Sequence, residues 1–221
     1  MATVLHLNSP PSPQLIHQVV QCLQEGGVVA VPTDSFYGLA VNPFDQVALE
    51  RLMHIKGERS HKPFPVLIGD PSQLDQLVTH IPQIASALMQ QFWPGLLTLV
   101  LKAQEHLSPA LTGENGTIGV RQPNDARLCE LLKQAGPVTG TSANRTGQSP
   151  AQSAEEVMKH LGAEINLILD GGLTPGGQPS TVLQVEPKLR IIRQGAISLD
   201  RLQQILSADS VQLSEEQPKQ T

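Results

Sequence analysis

The chain has 221 residues, 39% hydrophobic and 16% charged, which suits a water-soluble globule with one continuous core. A formal charge of −5 excludes wholesale coating by nucleic acid and leaves room only for local RNA contact at a basic cleft. No apolar run is long enough to span a bilayer and no basic segment precedes an apolar one at the start, so the expected compartment is the cytoplasm.

Cys22 and Cys129 lack metal-type spacing and read as buried thiols in reducing surroundings. Residues 3–7 alternate as a short strand, broken by Ser9-Pro10-Pro11-Ser12-Pro13. Leu15, Ile16, Val19, Val20 and Leu23 recur at helical spacing until Gly26-Gly27 stops the helix. Val28-Val29-Ala30-Val31 then reads as a buried strand, and Pro32-Thr33-Asp34-Ser35-Phe36-Tyr37-Gly38-Leu39 gathers hydroxyls and a carboxylate at its end. Strand ends of open α/β sheets are where ligands bind. Residues 32–35 also have the composition of a plain turn capped by Asp34.

Asp45 is the expected N-cap of a helix over 46–55, with Val47, Leu49, Leu52, Met53 and Ile55 as its apolar positions and Lys56 facing solvent at its end. The loop Lys56-Gly57-Glu58-Arg59-Ser60-His61-Lys62-Pro63 is compact and basic. The helix dipole accounts for Lys56 alone, whereas Arg59 and Lys62 lie beyond the helix, where cations and N–H groups suit a phosphate or carboxylate. A strand over 64–68, helices over 74–78 and 84–92, and a buried strand over 96–101 follow.

Residues 104–116 read as loop, and Thr117-Ile118-Gly119-Val120-Arg121 ends a strand on an arginine. Its planar fork suits a ligand carboxylate, and a surface salt bridge is the alternative. After a helix over 126–134, Thr141-Ser142-Ala143-Asn144-Arg145-Thr146-Gly147 is dense in hydroxyl and amide groups, as a ligand loop or a turn would be. Ser153 should cap a helix over 154–161, and a strand over 165–169 leads into the glycine-rich loop 170–179. Strands over 180–185 and 189–192, the latter ending at Arg193, precede a helix over 199–206. One domain over 1–206 and a frayed polar tail over 207–221 are expected, with no metal motif.

Six stretches stand in order: residues 32–39, the Lys56 loop with Lys62-Pro63, residues 117–121, Ser142-Ala143-Asn144, Ser180-Thr181-Val182 and Ile192-Arg193-Gln194-Gly195. Together they resemble the YrdC-like family, best known for threonylcarbamoyl-AMP synthases, over roughly residues 15–206. The resemblance implies a single α/β domain, a twisted and mostly parallel mixed sheet with helices around a concave basic cleft. Longer relatives append a second domain, for which this chain is expected to end too early.

The implied activity is that of a nucleotidyltransferase in tRNA modification. L-threonine, bicarbonate and ATP give threonylcarbamoyl adenylate and diphosphate, and downstream tRNA-modifying proteins deliver the group to an adenosine beside the anticodon. By the resemblance, Ser35, Tyr37, Arg121, Ser142 and Ser180 contact threonine. Lys56, Lys62, Thr117, Asn144 and Arg193 hold the nucleotide, and Lys56 and Arg59 are the catalytic cations. ATP is a substrate, magnesium is expected with it, and neither a resident metal site nor a tightly bound cofactor is implied. The family's Lys-x-Arg signature is altered here, with Glu58 second after Lys56 and Arg59 next, and Leu67 aligns with a threonine-contacting histidine. Both differences lean toward a YciO-like paralogue with another nucleotide-linked activity; a non-catalytic double-stranded RNA-binding module is the third reading.

Overall fold

The computed structural model describes residues 1–57, 62–113, 115–186 and 188–208. The expectations for Glu58 and Arg59, and for most of the polar tail, lie outside the described residues.

Side-chain caps set most helix starts, each contributing about 1 kcal/mol. Ser12 accepts from the Leu15 amide to open α1 (Pro13–Gln24), and Asp45 accepts from Val47 and Ala48 to open α2 (Gln46–Lys56). Residues 71–76 form a 3-10 helix capped by Asp70, where a helix over 74–78 was expected. Helix α3 (Gln83–Phe92) has no side-chain cap, whereas Asp125 caps α4 (Ala126–Ala135) and Ser153 caps α5 (Ala154–Leu161). Helix α6 spans Leu199–Ala208. On α2 the apolar expectation needs correction: Val47 is 72% exposed and Met53 is exposed as well, because the buried stripe runs through Ala48, Leu49, Leu52, Ile55 and Lys56.

The strands are β1 (Thr3–His6), β2 (Val29–Val31), β3 (Gly38–Ala40), β4 (Val66–Leu67), β5 (Leu97–Lys102) and β6 (Thr117–Arg121). They continue with β7 (Val138–Thr139), β8 (Thr141–Ser142), β9 (Leu167–Asp170), β10 (Thr181–Gln184) and β11 (Arg190–Arg193). The α/β class and the mixing of strand directions are as expected, but there are two sheets rather than one, and neither is mostly parallel. The first runs β1-β9-β2-β3-β8 and the second β11-β10-β5-β6-β4-β7. Parallel pairing is confined to β1–β9, β2–β9, β5–β10 and β4–β6; the remaining pairs, β2–β3, β3–β8, β4–β7, β5–β6 and β10–β11, are antiparallel. The reason is local: β2–β3, β5–β6 and β10–β11 are joined without an intervening helix, and a chain that turns straight back pairs antiparallel.

Strand alternation gives the second sheet two unlike faces. Leu97, Leu99, Leu101, Ile118, Val120 and Leu183 join the core with Leu88 and Phe92 of α3 and Leu202 of α6. Thr98, Thr117, Gly119 and Arg121 alternate with them on the other face. The sheets meet at Thr139, whose amide donates to Val41 O (3.0 Å), while its hydroxyl donates to Leu39 O (3.1 Å) and accepts from the Val41 amide (3.0 Å). Gly140 alone separates β7 of one sheet from β8 of the other.

Candidate functional site

Arg121 closes β6 with its side chain buried, the residue only 6% exposed. Its Nε donates to Gly95 O (2.9 Å) and its Nη2 to Asp34, which follows β2 of the other sheet. The arginine expected as an open anchor or surface ion pair therefore makes a buried one that spans the two sheets. Burial lowers the Arg121 pKa below that of a free guanidinium, and Asp34 opposes the shift.

Arg193, exposed at the end of β11, fastens onto Ser180. Its Nε and Nη2 donate to Ser180 O at 3.2 and 2.9 Å, and its Nη2 also donates to Ser180 Oγ at 3.1 Å. The Ser180 and Thr98 hydroxyls lie 2.8 Å apart. The Arg193 charge also acts on Arg121. Asp34 pairs with Arg121, and Arg193 makes no ion pair among the described residues, which leaves a surplus of positive charge.

Lys56 is not at the surface, as its place at a helix end suggested, but 5% exposed. The last turn of α2 directs it inward, where Nζ donates to Ser142 O (2.7 Å), Asn144 O (2.6 Å) and Asn144 Oδ1 (3.2 Å). Those three bonds match the three donors of an ammonium. Burial without a carboxylate partner lowers its pKa to about 8. Thr146 closes the wrap by donating its amide and hydroxyl to Lys56 O. Asn144 is buried while Ser142 is exposed, so the loop presents the serine and hides the amide.

Ser35 is buried beside Thr33 (Oγ–Oγ1 3.2 Å), and its carbonyl accepts from the Gly176 amide. Tyr37, expected to touch a ligand, is fully buried instead. Its hydroxyl donates to Gly172 O (2.8 Å) and accepts from the Gly171 amide (3.2 Å), which pins the glycine-rich loop over the turn after β2. Burial raises its pKa.

Thr117 stands at the other end of β6 from Arg121, roughly 14 Å along the strand. A Cβ on Gly113 would lie 3.2 Å from Thr117 Oγ1 and 4.0 Å from Pro63, so the segment after exposed Lys62 converges on Thr117. The expected nucleotide residues therefore fall into three places: Lys62 with Thr117, Lys56 with Asn144, and Arg193 beside Arg121.

Sequence reasoning missed the Asp34–Arg121 pair and Thr98. Thr98 left a signal, as the polar residue interrupting the apolar run over 96–101. A cavity of about 590 Å³ backs onto the Arg121 anchor, sharing Asp34 and Gly95 with it. Its charged lining residues are Asp34, Asp125, Arg127 and Arg201, which balance in sign. Arg127 is committed to Asp125, Leu7 O and Gly171 O, and Arg201 lies 5.6 Å over the Phe92 ring. Among the described residues no three His, Cys, Asp or Glu side chains group as a metal site, and no helix is long and apolar enough to cross a membrane.

A family model described as telomere recombination, covering Sua5, YciO and YrdC proteins, matches residues 21–195. The threonylcarbamoyl-AMP synthase of Bacillus subtilis (strain 168) is 36% identical over 194 residues, covering 86% of this chain and 56% of the relative. A putative threonylcarbamoyl-AMP synthase of Mycobacterium tuberculosis (strain CDC 1551 / Oshkosh) is 32% identical over 199 residues, covering 90% and 92%. Among solved structures, P. abyssi Sua5 complexed with L-threonine matches with a TM-score of 0.87 and 30% identity, covering 96% of this chain and 63% of that one. E. coli YciO matches with a TM-score of 0.80 and 29% identity, covering 91% and 100%. The chain thus spans little more than half of the B. subtilis relative and less than two thirds of P. abyssi Sua5. With the family model matched over most of its length, this chain belongs to the Sua5/YciO/YrdC family.

Proposed function

We propose that the chain is an L-threonylcarbamoyladenylate synthase. The threonine amine takes up the carbon of bicarbonate as a carbamate with loss of water, and the carbamate oxygen then attacks the α-phosphorus of ATP, releasing diphosphate. The observation that carries this reading is the buried Arg121, which gives Nε to Gly95 O and Nη2 to Asp34 and keeps Nη1 uncommitted among the described residues, leaving a place for one more carboxylate. A relative of similar length named a threonylcarbamoyl-AMP synthase, and the L-threonine complexed with P. abyssi Sua5, support threonine as its owner.

In this proposal Arg121 and Ser180 orient the amino acid, with Ser35 and Ser142 at its sides. Thr117 and Lys62, whose donors make no hydrogen bond or ion pair within the described residues, take the triphosphate, and magnesium arrives with it. Lys56 supplies positive potential and braces the loop carrying Asn144, so its part is positioning and charge stabilisation. Downstream proteins transfer the threonylcarbamoyl group to tRNA, and the cytoplasm is the expected compartment. The test is to incubate the purified chain with ATP, bicarbonate and labelled L-threonine and to separate the products. A labelled adenylate with threonine-dependent diphosphate release is the expected result. Diphosphate release indifferent to threonine would overturn it in favour of a paralogue with another nucleotide-linked activity.

A further inference from the structure

A hydroxyl carries one hydrogen and two lone pairs, so a closed hydroxyl pair can be counted. Thr98 Oγ1 and Ser180 Oγ are 2.8 Å apart and either can donate, while Arg193 Nη2 donates to Ser180 Oγ at 3.1 Å. Neither hydroxyl has another partner among the described residues. Two hydroxyl hydrogens therefore share one bond within the protein, and one hydrogen is left over.

Where the surplus hydrogen sits decides what Ser180 can do. If Ser180 donates to Thr98, the surplus lies on Thr98, 4% exposed on β5 between β10 and β6. A buried donor without an acceptor is a costly orphan. If Thr98 donates, Arg193 and Thr98 fill both lone pairs of Ser180, and Ser180 becomes a pure donor beside Arg193, with β5 alone between its strand and the one that ends at Arg121. Thr98 is held for this task. Its branched Cβ restricts the rotamer, and its methyl lies 3.4 Å from where a Gly119 Cβ would be, while its hydroxyl meets Ser180, the residue just before β10. Ser180 is itself only 6% exposed, so its freed hydrogen calls for an acceptor brought by a ligand.

We propose that Thr98 is a positioning residue: by donating to Ser180 it turns the Ser180 hydrogen onto the carboxylate of the amino-acid substrate held at Arg121. This rests on the threonine reading above.

Calorimetric titration of the full chain with L-threonine tests it. Thr98→Val, which keeps the branched shape and removes the hydroxyl, should raise the Kd for L-threonine about tenfold, or about 1.4 kcal/mol, with the KM for ATP little changed. Thr98→Ser should keep wild-type affinity. In a Ser180→Ala background, Thr98→Val should add nothing further, since the two act as one unit. Should Thr98→Val not fold, Thr98→Ala is read the same way. An unchanged Kd in the single variant, or a full additive loss in the double variant, would overturn the inference while leaving the synthase reading standing. No binding of L-threonine by the wild type would overturn both.

Discussion

Lys56 and Arg121 are both buried cations, yet they are satisfied in opposite ways. Lys56 gives its three donors to neutral oxygens of Ser142 and Asn144, so no carboxylate cancels its charge. Arg121 is matched by the Asp34 carboxylate but gives away only part of its fork, to Asp34 and Gly95. The first therefore offers charge without donors and the second donors without net charge, which Arg193 restores. Burial alone does not tell a structural cation from a ligand-binding one; the partner's charge and the count of uncommitted N–H groups do.

The largest effect should come from breaking the matched pair. Asp34→Ala leaves Arg121 buried and uncompensated, which costs about 3–5 kcal/mol and should lower Tm on the order of 10 °C in thermal denaturation. A fall of only a degree or two would mean that Arg121 finds water or another partner. Lys56→Ala comes next: three oxygens lose their donor, for about 2–3 kcal/mol, and the 142–144 loop loses its brace. The cost follows from its burial, where the sequence suggested a side chain facing solvent.

The same lysine makes a pH prediction. Its pKa is lowered from 10.5 to about 8 in the folded chain. Between those values the unfolded chain holds a proton that the folded chain has released, so this group makes stability rise with pH across that window. Its positive charge disappears from the site over the same range, and ATP affinity should fall as the pH passes about 8. Urea denaturation and ATP titration at several pH values check both slopes, and Lys56→Met should erase both. Arg121→Lys should raise the threonine KM about tenfold and the ATP KM far less, because a point charge cannot replace a fork tied to Gly95 and Asp34. Equal effects on both substrates would make Arg121 structural. The smallest effect is Tyr37→Phe, about 1 kcal/mol, with the threonine KM unchanged because the ring is enclosed by its own chain.

What could be read from the sequence divides along the range of the interactions. Helices were legible where a polar cap and a 3.6-residue stripe lie close in sequence, as at Asp45 and Ser153. The short strands β3, β7 and β8 were not, since two or three residues show no periodicity and owe their form to partners such as Val31 and Leu67. Asp34 and Arg121 are 87 positions apart, and no local pattern reveals which carboxylate meets which arginine. The inward turn of Lys56 was hidden for a related reason: its acceptors come from a loop 86 and 88 positions further along the chain.

Thr139 sets how the molecule opens. Where the chain crosses from one sheet to the other, the covalent link is doubled by a side chain that both accepts from and donates to β3 and the residue after it. No plane is left along which the sheets can part without breaking this stitch. Native-state hydrogen exchange should therefore run on one clock, with the slow amides of β2 and β5 reporting a single opening free energy. Thr139→Val, which keeps the shape and cuts the hydroxyl bonds, should give the two sheets separate clocks.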